Sequence, residues 1–155
     1  MKHRVRCAVI LVHDQNILLV KHVDPCTGEE WWVSPGGGLE DQDASIISCA
    51  VRETHEETGL EISPGKLVYL REFFEESTQT RHLELYFLAE VFSGELTISN
   101  VAGKGPDEEY IKEIAWLSRK DVRGLTVYPE ELQEVFWEDL HLGFPGVRYL
   151  ETQSG

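Results

Sequence analysis

Positive charge is scarce in this chain. Against 14 lysines and arginines stand 28 aspartates and glutamates, for a net charge of −14. A surface for polymeric nucleic acid needs a basic stripe, so that partner is not expected. A small anionic ligand remains open, provided that bound cations screen its phosphates from the acids. Most of the surface acids read as solubilising charge.

Long apolar runs are missing as well. None approaches the ~20 residues that cross a bilayer, so no membrane partner is expected. The start, Met1-Lys2-His3-Arg4, is basic, but Arg6 interrupts the apolar run behind it. Residues 5–12 therefore read as a strand, not a signal peptide. Cys7, Cys26 and Cys49 form no CxxC pair and no zinc spacing. Cys7 and Cys49 read as small apolar residues and Cys26 as an exposed loop residue. An odd count without a framework fits a reducing cytoplasm. Internal repeats and low-complexity segments are absent, and the length of 155 residues suits one domain, 1–155, with one core.

What is present concentrates between Pro35 and Leu60. A Pro35-Gly36-Gly37-Gly38-Leu39-Glu40 turn precedes a short helix that carries Arg52, Glu53, Glu56 and Glu57. At roughly 100° per residue, positions 53, 56 and 57 share about a third of the helix circumference. Carboxylates that close repel unless a cation lies between them. A hard divalent ion with a preference for oxygen, such as Mg²⁺, suits them, with Mn²⁺ as a substitute. Ser45 reads as the N-cap and Gly59 as a left-handed stop. Ile47, Ala50, Val51, Thr54 and Thr58 form the stripe expected to face the core, with the acids at its margin.

This stretch, residues 35–60, resembles the signature box of the Nudix (MutT-like) hydrolases, GX5EX7REUXEEXGU. The back half stands here as Arg52-Glu53-Thr54-His55-Glu56-Glu57-Thr58-Gly59-Leu60, with Thr54 where an aliphatic residue is usual. The front half departs. With Gly38 as the motif glycine, Ala44 takes the first glutamate position. With Gly37, the loop has gained one residue among Asp41, Gln42 and Asp43, and Asp43 stands in; the second alignment is favoured.

The resemblance implies an α+β fold, an α/β/α sandwich around a mixed sheet. It implies a Mg²⁺-dependent pyrophosphohydrolase that releases a monophosphate from a nucleoside triphosphate or from a nucleoside diphosphate linked to another moiety. Glu53, Glu56 and Glu57 would hold metal, Arg52 would orient a neighbouring carboxylate, and a homodimer is the assembly suggested. The base would be a box glutamate or one from a later loop, with Glu108, Glu109 and Glu113 as candidates. Subfamily markers are missing: Glu75 stands where ADP-ribose hydrolases carry proline, and Glu76 and Ser77 where diadenosine polyphosphate hydrolases carry tyrosine. A coenzyme A motif is also lacking. The altered loop at Asp41–Ala44 keeps a second reading alive, a module that binds a nucleotide or ADP-ribose without hydrolysis.

Elsewhere, Gly37 and Gly38 admit close approach of a ligand, because glycine has no Cβ. Arg71 and Arg81 are candidates for phosphate contact, and His82 another. Tyr69, Phe74 or Tyr86 could stack on a base. Residues 4–12 and 16–22 read as a hairpin through Asp14-Gln15. Strands are expected at 66–74, 81–92, 96–98 and 113–117, with a loop at 99–110. Leu83, Leu85, Phe87, Ala89 and Val91 are assigned to one face of the second of these, and His82, Glu84 and Tyr86 to the other. A helix is expected at 129–140 and a tail at 141–155 that is partly loose, at its end.

Overall fold

The structure is a computed structural model that describes residues 1–101 and 109–155. Its centre is one curled, mixed sheet. Strands β1 (Lys2–His13), β2 (Asn16–Val23), β3 (Glu30–Val33) and β4 (Gly36–Gly38) precede helix α1 (Ile46–Thr58). Strands β5 (Glu61–Glu75), β6 (Thr80–Ser93) and β7 (Ile111–Leu117) follow it. Then come α2 (Arg119–Arg123), β8 (Val127–Tyr128), α3 (Val135–Leu142) and β9 (Arg148–Ser154). Among the described residues the strand order is β8-β3-β2-β1-β6-β5-β9, with β4 on β1 and β7 on β2.

Local chemistry explains several joints. Asp14 and Gln15 both take positive φ, 50° and 62°, which gives the tight turn that the twist of β1 and β2 favours. Ser45 caps α1 by accepting from the Ser48 N–H at 3.0 Å. Gly59 ends it at φ 80°, its N–H donating to the His55 carbonyl.

Odd-numbered residues of β1, from Cys7 to Leu11, pack with Cys49 and Ala50 of α1 and with Phe87 and Ala89 of β6. Even-numbered ones, Ala8, Ile10 and Val12, pack with Val122, Leu132, Phe136 and Trp137. Helical layers therefore cover both sheet faces, and the expected α/β/α sandwich is the fold found.

Four expectations need correction. Residues 96–98 form no strand; Ser99–Val101 is a 3₁₀ turn. The segment 129–140 divides into a 3₁₀ turn at Glu130–Gln133 and helix α3, because Glu134 leaves helical geometry at φ −133°. The tail carries a further strand. Strand β9 runs parallel to β5, tied by Arg148, whose Nε and Nη2 donate to buried Asp139 at 3.0 and 2.7 Å. Asp139 also accepts from Tyr69 Oη at 2.8 Å.

The remaining two corrections concern faces. Ile47 is exposed, while Glu53 and Glu57 lie in the buried arc of α1, not at its margin. In the first half of β6 the polar face is the buried one: His82, Glu84 and Tyr86 are enclosed and Leu83 is exposed. In both places part of the covered side is a polar cavity, and it is described next.

Candidate active site

Strand β4 is three glycines, paired antiparallel with β1 so that Cys7 faces Gly37. A Cβ on Gly37 would collide with the Glu53 carboxylate. Bare backbone here lets the acid tuck directly against the strand. Glu57 reaches the same strand, its Oε1 accepting from the Gly36 N–H at 2.9 Å. From the opposite face, Arg6 donates to the Gly36 and Ser34 carbonyls at 3.1 and 2.9 Å. Thus α1 and β1 clamp the glycine strand between acids and a guanidinium.

Arg52 organises the acidic side. Its Nε and Nη2 donate to the two oxygens of Asp43, each at 2.8 Å. Nη1 donates to Glu53 at 2.9 Å and to Glu56 at 3.4 Å, and Nη2 also reaches the Gly38 carbonyl at 3.3 Å. The hydrogen bonds from Arg52 hold the Asp43 carboxyl well below its ordinary range. The same bonds raise the guanidinium pKa further. Asp43 belongs to the loop with one added residue, and its contact explains how that loop is fixed.

Glu53 and Glu57 line a cavity of about 400 Å³ together with the glycine strand, Arg4, Arg6 and His22. Glu56 stands beside Glu53, the two sharing the Arg52 Nη1 donor. It also lines a depression with His55, Glu61 and Asn100. Among the described residues no three His, Cys, Asp or Glu side chains gather at one point as they stand. Helical spacing brings the three residues together on α1: Glu53 and Glu57 are buried, and Arg52 bridges Glu53 to Glu56.

The cavity continues. Past Arg4, Arg6 and His22 it opens into a smaller space of about 230 Å³ and then into a chamber of about 690 Å³. Arg71 sits in that chamber, with Nη1 donating to Glu84 at 2.7 Å and Nε to Gln153 at 2.9 Å. It is therefore remote from the glycine strand. Arg81 is exposed, on the opposite sheet face from His82 and Glu84, and the structure does not bring it to the cavity. Tyr69 is core. His82 pairs with Glu75 at 2.9 Å. Glu109 is exposed and Glu113 faces Lys21 at 3.8 Å; Glu108 lies outside the described residues.

Sequence reading missed Arg4, Arg6 and His22. A usable signal existed: arginine within a strand otherwise buried on both faces must meet something polar. Burial opposes the charge of Arg6, but Glu84, Tyr86, Glu57 and Glu53 outweigh it and hold its pKa above the arginine value. His22 goes the other way. Burial first, then Arg6, lowers its pKa to about 4, so the imidazole is neutral at pH 7. Its Nδ1 is enclosed with no protein partner among the described residues.

These parts suit an anionic ligand with an apolar end. Two guanidiniums supply local positive charge in a chain that is strongly acidic overall. Carboxylates on bare backbone supply oxygen donors of the type hard cations take.

Comparison with solved structures agrees with this architecture. A NUDIX hydrolase from Nitrosomonas europaea is 27% identical at a TM-score of 0.71, covering 96% of this chain and 93% of that one. The E. coli ORF135 protein is 24% identical at a TM-score of 0.70, covering 94% and 96%. A MutT NUDIX hydrolase from Burkholderia pseudomallei is 21% identical at 0.68, covering 89% and 98%. The last two speak for the fold alone. A comparison with curated proteins gives no match. The NUDIX domain family, however, matches residues 1–139. With most of its length inside that match, the chain belongs to the NUDIX family and is a Nudix hydrolase.

Proposed function

We propose that the chain hydrolyses a phosphoric anhydride bond in a nucleotide, with a divalent cation as cofactor. The substrate is a nucleoside triphosphate or a nucleoside diphosphate linked to another moiety. The observation that carries this is the placement of Glu53 and Glu57 against the glycine strand, opposite Arg4 and Arg6, in one cavity.

The donor set fits a hard ion. It is made of carboxylate oxygen, and the carboxylate at Glu53 occupies space that any side chain on residue 37 would fill. Glu53, Glu56 and Glu57 would hold Mg²⁺ or Mn²⁺. Bound there, the ion would neutralise phosphate oxygens and lower the pKa of water. The chain's own groups do the rest. Arg4 and Arg6 bind phosphate oxygens through their planar guanidinium groups. Arg52 fixes the orientation of Glu53 while Asp43 fixes Arg52. Of the glutamates weighed as base, Glu53 and Glu57 line the cavity, so one of them takes the proton from the attacking water.

The test is a panel of nucleoside triphosphates, nucleotide sugars and dinucleotides, with phosphate read after a coupled phosphatase. Release that requires Mg²⁺ or Mn²⁺ is expected. The altered loop at Asp41–Ala44 favours one rival, a binding module without turnover. A nucleotide that raises the melting temperature yet is never hydrolysed would establish that rival. The cytoplasm is the proposed compartment, on the strength of three free thiols. A homodimer is the proposed assembly, to be read from light scattering.

A further inference from the structure

Strand β9 lies beyond residues 1–139, the stretch that the family match covers. Its apolar burial is slight. Leu150 is enclosed, but Tyr149 beside it and Val147 just ahead of the strand are 50% and 57% exposed. Apart from its ladder with β5, polar ties hold it: Arg148 to Asp139 at one end, and the Gly155 N–H to the Phe74 carbonyl at 3.1 Å just past the other. That second end reaches the chamber beyond Arg6. Gln153, Ser154 and Gly155 share its wall with Arg71, Phe73 and Glu84.

Gln153 sits between opposite charges. Its Oε1 accepts from Arg71 Nε at 2.9 Å and from Arg71 Nη2 at 2.6 Å. Its Nε2 donates to Glu131 Oε1 at 3.1 Å. An amide suits this place because it accepts on one side and donates on the other. Arg71 is 6% exposed and donates through Nη1 to Glu84 at 2.7 Å. Without Gln153, burial would leave its Nε and Nη2 donors unmatched among the described residues. With Gln153 in place the guanidinium is held at both edges, over the Phe73 ring at 5.0 Å from the centroid. These bonds engage one N–H on each nitrogen, and the second N–H of Nη1 and of Nη2 is left for a ligand.

We propose that Gln153 is a positioning residue of the substrate site and that strand β9 delivers it there. The inference rests on the phosphohydrolase reading above and adds a residue to that same cavity. Gln153 acts through Arg71, not on the cleaved bond. It fixes the one orientation in which the guanidinium faces the part of the substrate that projects past Arg4 and Arg6. That part lies away from Glu53, Glu57 and the glycine strand. A loss there weakens ground state and transition state alike, so it appears in KM and not in kcat.

The experiment measures kcat and KM on the best substrate of the panel, with Mg²⁺. Gln153→Ala should raise KM about 10-fold and leave kcat within about twofold. Gln153→Glu sets a carboxylate against Glu131 and should raise KM as well. Adding Glu131→Gln to Gln153→Glu reverses donor and acceptor across that contact, and KM should return toward the wild-type value. Arg148→Ala loosens the same strand at Asp139, outside the chamber, and should lower Tm while KM holds. An unchanged KM in a folded Gln153→Ala would overturn the proposal. So would a KM in Arg148→Ala raised as far as in Gln153→Ala, since general loosening of the strand would then explain both. If Gln153→Ala does not fold, recovery or its absence in the exchanged pair decides. If no nucleotide of the panel is hydrolysed, the phosphohydrolase reading fails by itself, and calorimetric Kd values of those nucleotides decide the role of Gln153 by the same ratios. Absence of binding as well would overturn the proposal.

Discussion

Asp43 grips Arg52 through two parallel hydrogen bonds of 2.8 Å, one to each carboxylate oxygen. Arg52 in turn holds Glu53 at 2.9 Å. A residue of the altered loop thereby sets the position of a cavity-lining acid. Asp43→Ala is expected to lower kcat by about 10- to 100-fold with KM little changed, because it loosens Glu53 without removing it. Steady-state kinetics on the best substrate of the panel measures this. Asp43→Glu should recover part of the loss; equal kcat in all three proteins would refute the positioning role.

In the proposed reaction the two buried glutamates carry the chemistry. Glu57→Gln and Glu53→Gln should each reduce kcat by about 10³-fold or more, while circular dichroism still reports a folded chain. Near-normal turnover in either variant would remove that residue from the site.

Gly37 faces Glu53 with no room for a methyl group. Gly37→Ala must push the carboxylate or the strand aside. A destabilisation of about 1–3 kcal/mol, measured by urea unfolding, is expected together with a loss of activity. An alanine variant of native stability and rate would show that the approach is looser than described.

Thr54 occupies the position where the family box carries an aliphatic residue. Its Oγ1 is buried and meets no protein partner among the described residues. Thr54→Val keeps the shape and removes the stranded hydroxyl. It should stabilise the protein by about 1 kcal/mol. A lower melting temperature in the variant would contradict this account.

His22 gives a pH signature. Its folded pKa, about 4, lies below the ordinary value near 6.5. Below pH 6.5 the unfolded chain takes up a proton that the folded chain resists. Stability from the neutral imidazole is complete above that value and is lost as pH falls toward 4. His22→Asn should therefore flatten the decline in unfolding free energy between pH 7 and pH 5. Parallel profiles for the two proteins would rule out the buried neutral state.

Much of this molecule is local, and local features are legible along the chain. Helix α1, its Ser45 cap, its Gly59 stop and the spacing of Glu53, Glu56 and Glu57 follow from helical periodicity alone. So does the hairpin at Asp14-Gln15, whose two positive φ angles match residues that tolerate turns. The family resemblance of residues 35–60 added the sandwich fold, and the family match confirmed it.

Partner choice across the sheet was decided only in three dimensions. Arg71 and Gln153 stand 82 residues apart in the chain and meet because β5 and β9 are neighbours. The inward turn of Glu84 and the clamp of Arg6 on the glycine strand share that origin. Alternation along a strand says which residues share a face, but not whether that face meets apolar core, solvent or a polar cavity. Only the packed layers settle that, because burial depends on what lies opposite.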